Sequence, residues 1–131
     1  METNALATML PWSDDYWPLA AGATAKRYVI NPTPDGDIDW EYFFKDWLDN
    51  PVTEMIEKGR INDLSPAEKY DLLVGDENLT LTKMMWNEGR TYFQSAGKVE
   101  RWMGICHGWA AAAFMHDRPA NPVQVKGYKG E

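Results

Sequence analysis

The 131-residue chain has one cysteine, Cys106, and two histidines, His107 and His116. A single cysteine cannot close an internal disulfide, so oxidative stapling is excluded. Basic residues are scarce, 13 Lys plus Arg against 20 Asp plus Glu. No basic stripe is available to neutralise phosphates, which argues against a nucleic-acid partner. No segment approaches the length of a membrane span, so no membrane partner is expected. The opening "METNALATML" has no basic region and too short an apolar run for a signal peptide. The expectation is a cytosolic product or an internal piece of something longer. Repeats and low-complexity tracts are missing. Strand patterning is nearly so, with at most one short strand expected in "NPVQVKGYKGE".

What is present is a globular composition. Apolar residues make up 44% and there are seven tryptophans, enough for one small domain with its own core. Three regions are expected. Residues 1–36 form an aromatic, proline-broken, irregular segment that ends near the turn signal "NPTPDGD". Residues 37–117 form a helical body, and residues 118–131 a polar tail. In the body, Trp40, Phe43, Phe44, Trp47 and Leu48 recur at helical spacing behind a cap at Asp37 or Asp39. Asn50 reads as the next cap, with Pro51 at the first helical position and Gly59 at the end. Ser65 and Glu68 make a capping box, with Pro66 first in the helix and Gly75 as the stop. A longer helix is expected over Thr80 to Ser95, with Leu81, Met84, Met85, Tyr92 and Phe93 inward. Gly89 weakens it in the middle. "SAGKVERW" connects to a last helix that Cys106 opens and that runs to about Met115.

A helix starting at Cys106 aims backbone N–H groups and the positive dipole end at the sulfur. Such a position lowers a thiol pKa and raises its thiolate fraction. Gly104 and Gly108 allow a substrate backbone to come close, and Ala110 to Ala113 are strong helix formers. The Cys106 N–H is also a candidate oxyanion donor. Against this, a free cysteine often serves as a small buried hydrophobe. The residues alone leave both readings open. His107 is a poor candidate base, since neighbours on a helix point about 100° apart. His116 lies ten positions on, roughly 15 Å along a continuous helix. It reaches the sulfur only if that helix breaks early. Otherwise His107 reads as a cap or supporting hydrogen-bond group, and His116 as a cation favoured by the helix C-terminus.

The motifs "ERWMGICHGWAAAA", "PWSDDYWP" and "LSPAEKYDLLVGDENLTLTKMMWNEG" resemble the transglutaminase-elicitor family. These are calcium-assisted protein-glutamine gamma-glutamyltransferases. The likeness runs from about Pro11 to Val125 and rests on the three motifs together. It implies that Cys106 is the acyl-accepting nucleophile. It also implies that this mainly α chain is the helical half of a papain-like α+β enzyme. The chain departs from the family at Ala111, where a proline often follows the tryptophan-alanine pair. The family's catalytic aspartate and histidine lie downstream, on a strand-rich part. The resemblance thus implies an N-terminal portion whose base comes from a second polypeptide or a C-terminal part, and it accounts for the missing base and scarce strands.

The implied chemistry is acyl transfer from a protein glutamine to a lysine or other amine, through a thioester, or to water, which gives deamidation. Trp102 and Trp109 flank the nucleophile, either lining a channel that limits water or donating an indole N–H near the oxyanion. Core packing is the plainer role, and it is expected for at least one of them. Gly104 and His107 complete the expected neighbourhood. Calcium is the only cofactor the resemblance suggests. A secreted or delivered effector is the implied setting, and a bacterial toxin of this kind would have an inhibitor or immunity protein as a further partner.

Other signals are weaker. Asp35, Asp37, Asp39 and Glu41 alternate and supply the hard oxygens that calcium takes, but their order does not match an EF-hand loop, and a solvated helix start is the better reading. "NLT" at Asn78 matches the glycosylation acceptor pattern and matters only in a secreted eukaryotic chain. Asp14 and Asp15 read as a polar loop. The rival functions are a cysteine protease or deamidase of the same architecture and a non-catalytic helical module whose aromatic groove binds a partner. A missing half would leave apolar surface exposed.

Overall fold

The computed structural model describes residues 17–28 and 38–130, apart from the side chains of Cys106, His107 and Trp109. The described chain is mainly α. Its helices are α1 (Trp40–Asp49), α2 (Val52–Glu57), α3 (Pro66–Val74), α4 (Thr80–Ala96) and α5 (Cys106–Met115). Short 3-10 turns occupy Leu19–Ala21, Ala23–Ala25 and Ile61–Asp63. Among the described residues there is no strand, only one isolated antiparallel bridge between Pro18 and Gly104. The described part of the tail, where at most one short strand was expected, carries none.

The core is built on "LAAGATA". Leu19, Ala20, Ala21, Ala23 and Ala25 are all buried. Small side chains let larger elements approach this segment closely. Helix α4 packs on both of its 3-10 turns and on α3 and α1. Gly22, at φ 94°, lets the Trp86 ring lie against its backbone. A Cβ there would stand 2.6 Å from the indole. The described part of the irregular N-terminal segment is therefore the floor on which the helices sit.

Local signals explain most boundaries. Asp39 caps α1, its carboxylate accepting from the Glu41 N–H at 3.1 Å. Ser65 and Glu68 close the expected capping box on α3, and Gly75 ends it in the left-handed region at φ 76°. Two expectations are corrected here. Pro51, not Asn50, takes the N-cap position of α2. The Asn50 amide instead donates to the Asp46 carbonyl at 2.9 Å and closes the end of α1.

The buried faces also differ from the expected ones. Trp40 and Phe43 are buried and Phe44 and Trp47 pack against them, but Leu48, in the last turn of α1, is exposed. On α4 the buried residues are Thr82, Trp86 and Gly89, while Met84 and Tyr92 face outward. Polar pinning and close approach decide this face. Thr82 is held by Asp71, and Gly89 receives the Trp40 ring.

Candidate functional site

Cys106 is the first residue of α5, as its sequence implies. Ile105 occupies the N-cap position with no side-chain cap, and the Gly108 N–H donates to the Ile105 carbonyl at 2.9 Å. The approach to this helix is held from far away in sequence. The Leu19 N–H donates to the Met103 carbonyl at 2.9 Å, beside the Pro18–Gly104 bridge. Met103 and Ile105 pack against the main core. The end of "PWSDDYWP" and the start of "MGICHGW" are thus adjacent in space, although nothing in their spacing announces it.

Around this start the residues expected to serve the site are arranged unevenly. Gly104 is half-buried in the bridge. Gly108 is exposed, and apart from its chain neighbours and its own helix no described atom lies within 4 Å of where a Cβ would stand. Trp102 is 76% exposed and takes no part in the core of the described residues. The side chains of Cys106, His107 and Trp109 lie outside the described residues, as do Asp14, Asp15, Asp35 and Asp37.

Helix α5 does not break early. It is continuous to Met115, and His116 is its C-cap in extended conformation. At 1.5 Å rise per residue, His116 stands roughly 15 Å along the axis from Cys106. The condition under which it could serve as base is not met. The helix is apolar but sparsely covered. Ala113 is buried, whereas Phe114 is 70% and Met115 76% exposed. Among the described elements, none of the closely packed pairs includes α5.

No group of three or more His, Cys, Asp and Glu side chains suited to a metal ion occurs among the described residues. Of the alternating acids, Asp39 is engaged as a helix cap and Glu41 is exposed in the first turn of α1. The polar organisation lies elsewhere. Glu68, fully buried, accepts from Arg27 (Nη2 at 2.7 Å, Nε at 3.1 Å), the Trp47 indole N–H at 2.9 Å and the Ser65 N–H at 2.8 Å. Asp71, also buried, accepts from the Leu81 and Thr82 N–H groups and from the Thr82 hydroxyl at 2.7 Å. Asp76 takes the Asn78 and Thr80 N–H groups. Hydrogen bonds from Thr80, chiefly its side chain and then its amide, hold the Asp76 carboxyl below the ordinary carboxylate range. Two carboxylates from outside α4 therefore satisfy its first amides. Sequence reasoning found Glu68 through its capping box but missed Arg27, Asp71 and Asp76. Only the sequence "VGDENLT", an Asp just before a helix start, carried a trace of this arrangement.

No family model, curated protein or solved structure matches this chain.

Proposed function

We propose that this chain is the N-terminal, helical part of a papain-like cysteine transglutaminase, with Cys106 as nucleophile. The observation that carries the reading is Cys106 opening the ten-residue helix α5, within a motif that resembles the transglutaminase-elicitor family. The tie between Pro18–Leu19 and Met103–Gly104 supports it, because two motifs of that resemblance meet there.

The Cys106 thiolate attacks the carbonyl carbon of a glutamine side chain. A C–S bond forms and negative charge builds on the oxygen, where the Cys106 N–H and an indole N–H from Trp102 or Trp109 are the candidate donors. The intermediate collapses with loss of ammonia, which takes a proton from a general acid. An amine then attacks the thioester carbonyl and gives a proton to the acid-base group, an amide bond forms, the C–S bond breaks and the thiolate returns. Water in place of the amine yields glutamate. The acid-base histidine and its aspartate come from a second polypeptide or a C-terminal part, since His116 is remote and His107 adjoins Cys106 in the helix. Calcium assistance belongs to the same resemblance. So does the setting of a secreted or delivered effector with an inhibitor or immunity partner.

The test is intact mass of the protein purified from its source, beside labelled-amine incorporation with a Cys106→Ala control. A second polypeptide, with incorporation that requires Cys106, is the expected result. A lone, folded chain inert to thiol reagents and amines would overturn it and leave a binding module with a structural thiol. Cysteine-dependent peptide cleavage without amine transfer would favour the protease instead.

A further inference from the structure

A cavity of about 500 Å³ opens between α2, α3 and the start of α4. That volume lies within the usual range for small-molecule sites. Its walls are apolar: Val52 and Ile56 from α2, Leu72 from α3, and Leu79. Its rim is acidic, formed by Asp76 and Glu77. No described residue of α5 lines it, so it is separate from the Cys106 neighbourhood.

One cation already sits at this rim, and it comes from the far end of the chain. The Lys129 ammonium pairs with the Glu77 carboxylate and lines the same cavity. Its position is secured by the residue before it. The Tyr128 N–H donates to the Leu72 carbonyl at 3.0 Å, and the Tyr128 ring lies on Gly75, where a Cβ would come within 2.7 Å of it. The segment 127–130 is thus strapped across the α3–α4 junction with its lysine at the acidic rim. Lys129 and Glu77 are 63% and 70% exposed, and an ion pair so exposed contributes little and exchanges readily with other ions.

We propose that this cavity binds a primary alkylammonium group, such as a lysine side chain or a free alkylamine, with the alkyl stem on Val52, Ile56, Leu72 and Leu79 and the ammonium at Glu77. Lys129 then acts as a built-in competitor for the same carboxylate. Apolar walls alone would accept any alkyl compound. Only the acidic rim selects for the cation, because a carboxylate to ammonium hydrogen bond is stronger than a neutral one. Asp76 contributes negative charge at the rim while its oxygens remain engaged by the Asn78 and Thr80 N–H groups. The proposal stands whether or not Cys106 is a nucleophile.

The experiment is a titration of the full chain with n-hexylamine at neutral pH, where it is cationic, and in parallel with 1-hexanol. Calorimetry gives affinity, and backbone amide shifts locate the site. Hexylammonium should bind more tightly than hexanol by about threefold, the size expected of one exposed ion pair. The amides of Val52, Ile56 and Leu79 should shift. Glu77→Gln should erase the preference, and Lys129→Ala should tighten hexylammonium binding. Both positions are exposed, so neither variant threatens folding. Equal binding of the two compounds, shifts confined to other residues, or no gain in Lys129→Ala would overturn the proposal.

Discussion

The Cδ1–Nε1 edge of the Trp40 indole lies against Gly89, so close that a Cβ on Gly89 would stand 2.4 Å from both atoms. Helix α1 meets helix α4 through this approach. The same ring stacks on Phe44 at 4.9 Å and meets Phe93 at 5.2 Å. Gly89 is mid-helix, where exchange to alanine in an open setting stabilises by up to about 1 kcal/mol. Here the sign reverses. Gly89→Ala should destabilise by about 1–3 kcal/mol, because overpacking must displace Trp40 from the core. Urea unfolding of the two proteins checks this, and a more stable variant would refute it.

The Arg27–Glu68 pair is buried, at 5% and 0% exposure. Truncating one partner of such a pair strands the other charge away from water. Arg27→Ala should cost about 3–5 kcal/mol. Glu68 would retain only the Trp47 indole and Ser65 amide as donors from the present network. The exposed pair Lys58–Glu54 is the internal comparison. Lys58→Ala should change stability by less than about 1 kcal/mol. Denaturation midpoints of the two variants should differ accordingly.

Asp71 reaches from α3 to the start of α4 and accepts three hydrogen bonds there. Asp71→Ala should destabilise the protein by about 1–3 kcal/mol, since it leaves buried donors unpaired. Asp71→Asn keeps one carbonyl acceptor and should fall between alanine and the parent. Hydrogen exchange at Leu81 and Thr82 should accelerate in both variants.

Asp76 makes the same region sensitive to acid. Its folded carboxyl titrates below the ordinary 3.8 because Thr80 hydrogen-bonds the charged form. A depressed carboxylate contributes stability that is present above its unfolded value and lost as pH falls through the folded one. Thermal midpoints of the parent and Asp76→Asn, taken from about pH 6 to about pH 2, should therefore converge at the acid end. A gap that stays constant over that span would count against the assignment. The Glu77 carboxyl, lowered by its bond to Lys129, acts in the same direction.

The helix boundaries were legible because they depend on neighbours in sequence. Ser65 and Glu68 are three residues apart, so their capping box follows from the chain itself. Gly75 ended α3 for the same reason. The start of α5 at Cys106 and its run to Met115 also followed from local composition. The inward face of α4 was legible only in part: Leu81, Met85 and Phe93 pack against the core as expected. Hydrophobicity favoured Met84 and Tyr92, yet Thr82 and Gly89 are buried, because partners from other elements make a small or polar side chain the one that fits.

For the candidate site the division is similar. Sequence alone determined that Cys106 heads a helix and that neither histidine lies at a helical spacing suited to a base. Both are matters of local geometry along one segment. Only the tertiary structure decided that Leu19 holds Met103, that Trp102 is exposed, and that Lys129 returns to Glu77. Those pairings join residues from remote parts of the chain. They depend on how the helices stack over the alanine-rich floor, which no local pattern encodes.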